Sequence, residues 1–176
     1  MLVNGSSLLV ACVGNVLRGD DGFGVAVARR LERRAWPDGV DICDFGIRGI
    51  DFFYALLDGY GAAILVDTVA RGGPPGRLYV VEPDAQSAAG AHPLAFDAHR
   101  LDPARVMGFI RAMGGCLQHF RVVGCEPALM AADDEPKMGL SEAVEAAVEP
   151  AVELVAHLVD HTVRELRGAE GSACHA

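Results

Sequence analysis

Short, almost wholly apolar runs alternate along the chain with segments in which apolar residues recur every three or four positions. The two continuous apolar runs are Ser7–Val13 and Ala62–Val66. Runs of this kind predict strands that are buried on both faces, as in a parallel sheet. Val40–Asp44, Arg77–Val81 and Gln118–Gly124 are also predicted to be strands. The intervening periodicity predicts helices. The first predicted helix begins near Asp20. The other three cover about Ile50–Leu57, Asp102–Met113 and Ser141–Arg167.

Strands that alternate with helices predict an α/β fold with three layers. We expect a mostly parallel, twisted sheet of about five strands with helices on both faces. The 176 residues fit one domain, which we assign to residues 1–167, with residues 168–176 as a disordered tail. Residues 84–98 are small and polar without periodicity and predict a long loop, and Pro150 predicts a kink in the last helix.

The charge and the cysteines limit the partners and the compartment. A net charge of −9 at pH 7 argues against nucleic acids and anionic membranes, which attract clustered Lys and Arg. The first residues lack the basic region of a signal peptide, and no apolar run approaches the roughly 20 residues of a transmembrane helix. The five cysteines form no Cys-x-x-Cys pair. This pattern indicates a reducing compartment, which we take to be the cytoplasm.

Ligands in such folds bind beyond the carboxyl ends of the strands, where the first apolar run gives way to a glycine-rich turn. That turn reads Gly14-Asn-Val-Leu-Arg-Gly-Asp-Asp-Gly-Phe-Gly24. It lacks the Gly-x-Gly-x-x-Gly spacing of dinucleotide-binding turns, and two carboxylates at a helix start would repel a pyrophosphate. We predict that Asp20 caps the helix and that Asp21 points into the crevice, where it suits a cation. The alternative that both acids only cap the helix stays open.

Two further residues are candidates for the same crevice. Asp67 directly follows the third predicted strand, and His99 lies between the predicted loop and the next helix. With Asp21, they would form an open three-ligand site for a borderline divalent metal. Spacing alone neither brings them together nor selects His99 among the other histidines. His157 and His161 are four residues apart, but we interpret them as polar-face residues of the last helix.

These motifs, in this order, resemble those of the hydrogenase maturation proteases over nearly the whole chain. The glycine-rich turn with Asp20 and Asp21 is the most specific of them. The other motifs are Asp44-Phe-Gly-Ile-Arg-Gly49, Asp67 after the third strand, His99-Arg-Leu101, Gly124-Cys-Glu-Pro127 and Gly139-Leu-Ser141. Ile47 stands where the family usually has Thr.

The resemblance implies a phosphorylase/hydrolase-like fold and an endopeptidase that removes the C-terminal extension of a nickel-loaded [NiFe]-hydrogenase large-subunit precursor. It implies that Asp21, Asp67 and His99 contact the nickel, which belongs to the substrate, so that the protein needs no cofactor of its own. It also implies that Asp44, Gly46 and Gly49 shape the crevice for the peptide. Three roles remain open: a carboxylate of Asp21 or Asp67 as general base, as in an aspartic-type protease, nickel as the activating metal, or nickel as a positioning group only.

Two other functions use the same residues or the same fold. A non-catalytic chaperone would hold the nickel site of the precursor without cutting it. A nucleotide-dependent enzyme of Rossmann type would explain Asp44 at the end of the second strand, but not Asp20 and Asp21. We expect a monomer that binds its precursor transiently.

Overall fold

The computed structural model describes residues 7–82, 103–115, 117–128 and 136–173. One five-stranded sheet contains β1 (Leu8–Val13), β2 (Val40–Gly46), β3 (Ala62–Thr68), β4 (Leu78–Val81) and β5 (His119–Cys125). The helices are α1 (Phe23–Leu31), α2 (Gly49–Leu57), α3 (Pro103–Ala112) and α4 (Glu142–Ala173). A short 3-10 turn at Asp20–Gly22 precedes α1. Each of the five predicted strands is present.

The strand order is β2-β1-β3-β5-β4. The four strands β2, β1, β3 and β5 are parallel, and β4 is antiparallel to β5 at one edge. The predicted mostly parallel sheet is therefore confirmed. The carboxyl ends of β1 and β3 are neighbours, because these two central strands pair directly. This pairing puts the residues that follow them at one edge of the sheet.

Two apolar layers cover the sheet, which explains why β1 is apolar throughout. Leu8, Val10 and Cys12 face a cluster that contains α1 and α4. The alternate residues of β1 face a second cluster that contains α2 and α3. Successive side chains of a strand point to opposite faces, so a strand between two helical layers needs an apolar residue at every position. The predicted three-layer architecture is confirmed.

The long helix α4 packs beside α1 and carries an ion-pair ladder at its outer edge. Arg30 lies 2.9 Å from Glu145 and 3.5 Å from Glu149, and Arg34 pairs with Glu149 and Glu153. These side chains are half-exposed, so each pair contributes little beyond orientation.

Helix α4 runs without interruption through Pro150 and ends at Ala173, beyond the Arg167 at which the apolar pattern stops. The domain boundary at residue 167 stays a prediction, and the predicted loop at 84–98 lies outside the described residues. In the part of the chain that the structure describes, no helix is both long and apolar enough to cross a membrane.

Candidate active site

The glycine-rich turn folds back under the end of β1 because two of its glycines leave room for backbone. Gly14 has a φ of +149°, and a Cβ there would lie 2.1 Å from the carbonyl oxygen of Asp21. The N–H of Asn15 donates to that oxygen over 3.1 Å. A Cβ on Gly24 would lie 2.0 Å from the carbonyl oxygen of Val13. The two glycines therefore let the chain place Asp21 next to the strand end.

Several backbone N–H groups of this turn already donate to acceptors within the protein. Besides the Asn15 bond, the N–H of Gly14 donates to the carbonyl of Gly46 over 2.9 Å, and the N–H of Gly22 donates to that of Gly19 over 3.0 Å. Dinucleotide-binding turns need such amides to be available for the ligand. These bonded amides weigh against the nucleotide-dependent alternative.

Asp20 does not cap the helix that follows it, so this prediction was wrong. Gly19 and Gly22 occupy the cap positions, without a side-chain cap. The buried carboxylate of Asp20 instead accepts the N–H of Ala128 over 2.8 Å and the N–H and hydroxyl of Ser141 over 2.6 and 3.0 Å. Ser141 immediately precedes α4. Asp20 therefore ties the turn to two segments more than 100 residues away.

Asp21 and Asp67, two of the three predicted metal-contacting residues, lie together at the floor of one cavity. Their exposed fractions are 3% and 2%. Thr68 lies between them: its hydroxyl is 3.5 Å from Oδ1 of Asp21, and its N–H donates to Oδ1 of Asp67 over 2.7 Å. The structure thus brings together two carboxylates that are 46 positions apart in the sequence.

The pKa of Asp67 is raised well above its usual value. Burial is the largest cause, and the negative charge of Asp21 adds to it, while the N–H and the side chain of Thr68 act in the opposite direction. A buried carboxylate next to another carboxylate is costly to ionise without a compensating positive charge. The pair therefore favours a cation, or a shared proton, at the floor of the cavity.

The cavity has a volume of about 650 Å³ and opens from these carboxylates along an apolar wall. The loop between β2 and α2 forms part of its rim: Gly46, Ile47 and Gly49 line it. Asp44 does not line it, but its Oδ1 accepts the N–H of Gly46 over 2.9 Å and so fixes the bend, at which Gly46 has a φ of +51°. Asn15 and Arg18 also line the cavity.

His99, the third predicted ligand, lies outside the described residues. Among the residues that are described, no group of three or more His, Cys, Asp or Glu side chains could hold a metal ion. His157 and His161 are exposed on α4, where the first contacts the carbonyl of Glu153 and the second the carboxylate of Glu165. Their interpretation as polar-face residues is confirmed, and the nickel contact stays a prediction.

Glu126 is a buried residue for which no role was predicted from its position in the sequence. Its carboxylate accepts the N–H groups of Arg71 and Gly72 and the hydroxyl of Tyr79, over 2.9, 3.0 and 2.8 Å. These donors belong to the loop and strand that follow Asp67. Glu126 therefore holds that loop in place, and its position in the Gly124–Pro127 motif is the only signal in the sequence that pointed to it.

The whole chain was compared with known families and proteins. A sequence model described as hydrogenase maturation protease matches residues 25–158. The chain belongs to the hydrogenase maturation protease family. It is 30% identical to the hydrogenase 2 maturation protease of Escherichia coli over 140 residues, which cover 79% of this chain and 82% of that protein. It is 33% identical to the hydrogenase expression/formation protein HupD of Bradyrhizobium diazoefficiens over 122 residues, 68% of this chain but only 62% of HupD.

Solved structures of hydrogenase maturation proteases share the fold. The maturating endopeptidase HybD of Escherichia coli superposes with a TM-score of 0.71 at 28% identity, covering 89% of this chain and 93% of HybD. The hydrogenase 2 maturation peptidase of Thaumarchaeota archaeon SCGC_AB-539-E09 gives 0.65 at 34% identity, covering 88% and 98%. The hydrogenase maturation proteases are peptidases, so the predicted family and enzyme class are confirmed.

Proposed function

We propose that this hydrogenase maturation protease is an endopeptidase that removes the C-terminal extension of a [NiFe]-hydrogenase large-subunit precursor. One observation carries the proposal: Asp21 and Asp67 lie buried together at the floor of an open, otherwise largely apolar cavity. A peptide fits such a cavity as an extended chain, and carboxylates are the groups that serve there as acid, base or metal contact.

The substrate's nickel is the cation that we propose for this floor. Asp21 and Asp67 would contact it together with His99, and the protein would bring no metal of its own. A borderline metal such as nickel accepts mixed oxygen and nitrogen ligands. Its positive charge would offset the burial and the mutual repulsion that raise the pKa of Asp67. This would make binding depend on whether the precursor already carries the metal.

The reaction that we propose is hydrolysis by a water held at the carboxylates. The ionised carboxylate of Asp21 or Asp67 takes a proton from the water, whose oxygen attacks the scissile carbonyl carbon. The C–N bond then breaks, and the leaving nitrogen receives a proton. The products are a new C-terminal carboxylate on the large subunit and a free peptide with an amino terminus. Typical general-base groups contribute about 10²–10⁴-fold to such a step.

We further propose that the protein acts in the cytoplasm as a monomer that binds the precursor transiently. The three described cysteines Cys12, Cys43 and Cys125 are free thiols, which suits a reducing compartment. The acidic outer face of α4 favours a soluble monomer.

Mass spectrometry of the cognate precursor, nickel-loaded and nickel-free, tests the proposal. We expect the loss of one C-terminal peptide from the loaded form alone. Asp21→Ala and Asp67→Ala should abolish both selectivity and cleavage, whereas His99→Ala should mainly weaken the discrimination between the two forms. His157→Ala, an exposed histidine on α4, is the matched control. Binding without any change in mass would favour the non-catalytic chaperone, and cleavage of both forms would remove nickel recognition from the proposal.

A further inference from the structure

The large apolar side chains that are exposed to solvent concentrate around the candidate active site. Among the described residues, four of the most exposed line the cavity: Ile47, Ile50, Tyr54 and Met113, with exposed fractions of 77%, 68%, 64% and 60%. Scattered apolar residues on a surface are normal, whereas a contiguous apolar patch marks an interaction site. Four such residues around one cavity are a patch of this kind.

Two helices form the walls of this patch. On α2, the apolar residues that line the cavity are Ile50, Phe52, Phe53, Tyr54 and Leu57. All of these except Phe52 recur at helical spacing along one face. Phe52, Phe53 and Leu56 of the same helix also pack into the core. Phe109 of α3 and Met113, which follows the end of this helix, form the second wall. We call this surface the α2–α3 groove.

The α2–α3 groove is continuous with the carboxylates, since Asp21 and Asp67 line the same cavity. A peptide whose scissile bond lies at the carboxylates can therefore place neighbouring side chains against Ile50, Tyr54 or Met113 in the same cavity. The volume of about 650 Å³ lies within the range of sites that enclose a ligand. The groove is thus large enough for a few side chains and not for a folded partner.

We propose that the α2–α3 groove binds apolar side chains of the precursor next to the scissile bond and thereby selects the bond that is cut. This inference rests on the proposed function and adds a substrate preference to it. Because the walls are apolar, the binding energy comes from removing apolar surface from water. A precursor with polar residues at the same positions would not gain this binding energy.

The test replaces apolar groove residues with a polar side chain of similar size. The double variant Ile50→Gln/Met113→Gln removes apolarity from both walls without adding charge near the carboxylates, and Gln is well accepted in helices. The matched control is Met138→Gln, because Met138 is 75% exposed and does not line the cavity. Two quantities are measured on nickel-loaded precursor: the steady-state parameters of cleavage and the Kd of the complex.

We expect the double variant to lose about tenfold or more in kcat/KM, mainly through a higher KM, and to bind the precursor correspondingly more weakly. Met138→Gln should stay within about twofold of the wild type. Replacing the apolar residues that flank the scissile bond of the precursor with Ser should reproduce the loss in the wild-type enzyme. The same replacement should have little further effect in the double variant.

Unchanged cleavage and Kd in the double variant would overturn the groove while leaving the peptidase intact. Weakened binding of a precursor that even the wild type does not cut would support the groove and overturn the peptidase. A lower melting temperature of the double variant relative to Met138→Gln would show that another part of this chain covers the surface. If the wild-type protein is a dimer and the double variant is a monomer, a second copy of the chain covers the surface. Either of these last two results would overturn the proposal.

Discussion

The carboxylate of Glu126 offers the sharpest test of how the candidate site is held together. It is 4% exposed and accepts bonds from the N–H groups of Arg71 and Gly72 and from the hydroxyl of Tyr79. A hydrogen bond of this kind contributes about 1 kcal/mol to stability. Glu126→Ala removes the acceptor of all of these donors, so we expect a loss of about 3 kcal/mol. Glu126→Gln keeps one carboxamide oxygen and should lose about 1–2 kcal/mol.

The effect should depend on pH in a defined direction. Burial acts to raise the pKa of Glu126, but the hydrogen bonds from Arg71, Tyr79 and Gly72 outweigh it and lower this pKa below the usual value. An acid with a lowered pKa in the folded state adds stability above the pKa of the unfolded chain, about 4.3 for Glu. That added stability is lost as the pH falls through this value to the folded-state pKa. The difference between wild type and Glu126→Gln should therefore be full at pH 7 and shrink below about pH 5.

Urea denaturation at pH 7 and at pH 4 measures both effects. Glu32→Gln, which changes an exposed carboxylate at the end of α1, is the control and should stay within about 0.5 kcal/mol of the wild type. The reasoning is refuted if Glu126→Ala costs less than about 1 kcal/mol at pH 7, or if the loss in Glu126→Gln does not shrink in acid. We also expect Glu126→Ala to cleave the precursor more slowly, because the loop that it releases begins directly after Asp67 and Thr68.

Three further predictions follow from other contacts. Asp67→Asn should abolish cleavage yet match or exceed the wild type in stability by about 0.5–2 kcal/mol in urea denaturation. The variant removes the cost of ionising a buried carboxyl group next to Asp21 and keeps an oxygen for the neighbouring N–H; a less stable variant would contradict this. Gly24→Ala should cost about 3 kcal/mol or more in the same measurement because its Cβ would overlap the backbone of β1. Gly108 lies in α3, and a Cβ there would meet nothing within 4 Å, so Gly108→Ala should stabilise the protein by about 0.5–1 kcal/mol. Equal effects of Gly24→Ala and Gly108→Ala on stability would refute the steric argument. Arg121→Met should lower stability by about 3 kcal/mol because the charge of Glu165 loses its partner on β5. The additional substitution Glu165→Leu should restore part of the lost stability. No recovery in the double variant would exclude the charge of Glu165 as the cause.

The strands and the broad position of the site could be predicted from the sequence. Continuous apolar runs identified the central strands β1 and β3, because a strand between two helical layers requires an apolar residue on both faces. The strand-end rule then pointed to Asp21 and Asp67. The end of α4 was missed because residues beyond Arg167 lack the apolar periodicity on which the boundary was based. The cap role of Asp20 was assigned from its local position, whereas its carboxylate binds Ala128 and Ser141.

The sequence by itself determined which segments become strands and helices, which glycines the first turn needs, and which acids follow the strand ends. These are local properties, set by the period of apolar residues and by the space that a Cβ occupies. Only the tertiary structure decided which of these residues meet. The register of β3 on β5 places Asp67 opposite Gly124 and so brings Glu126 to the loop after Asp67. Helix α2 contacts both the core and the cavity, so its packing beside α3 leaves an apolar groove next to the carboxylates.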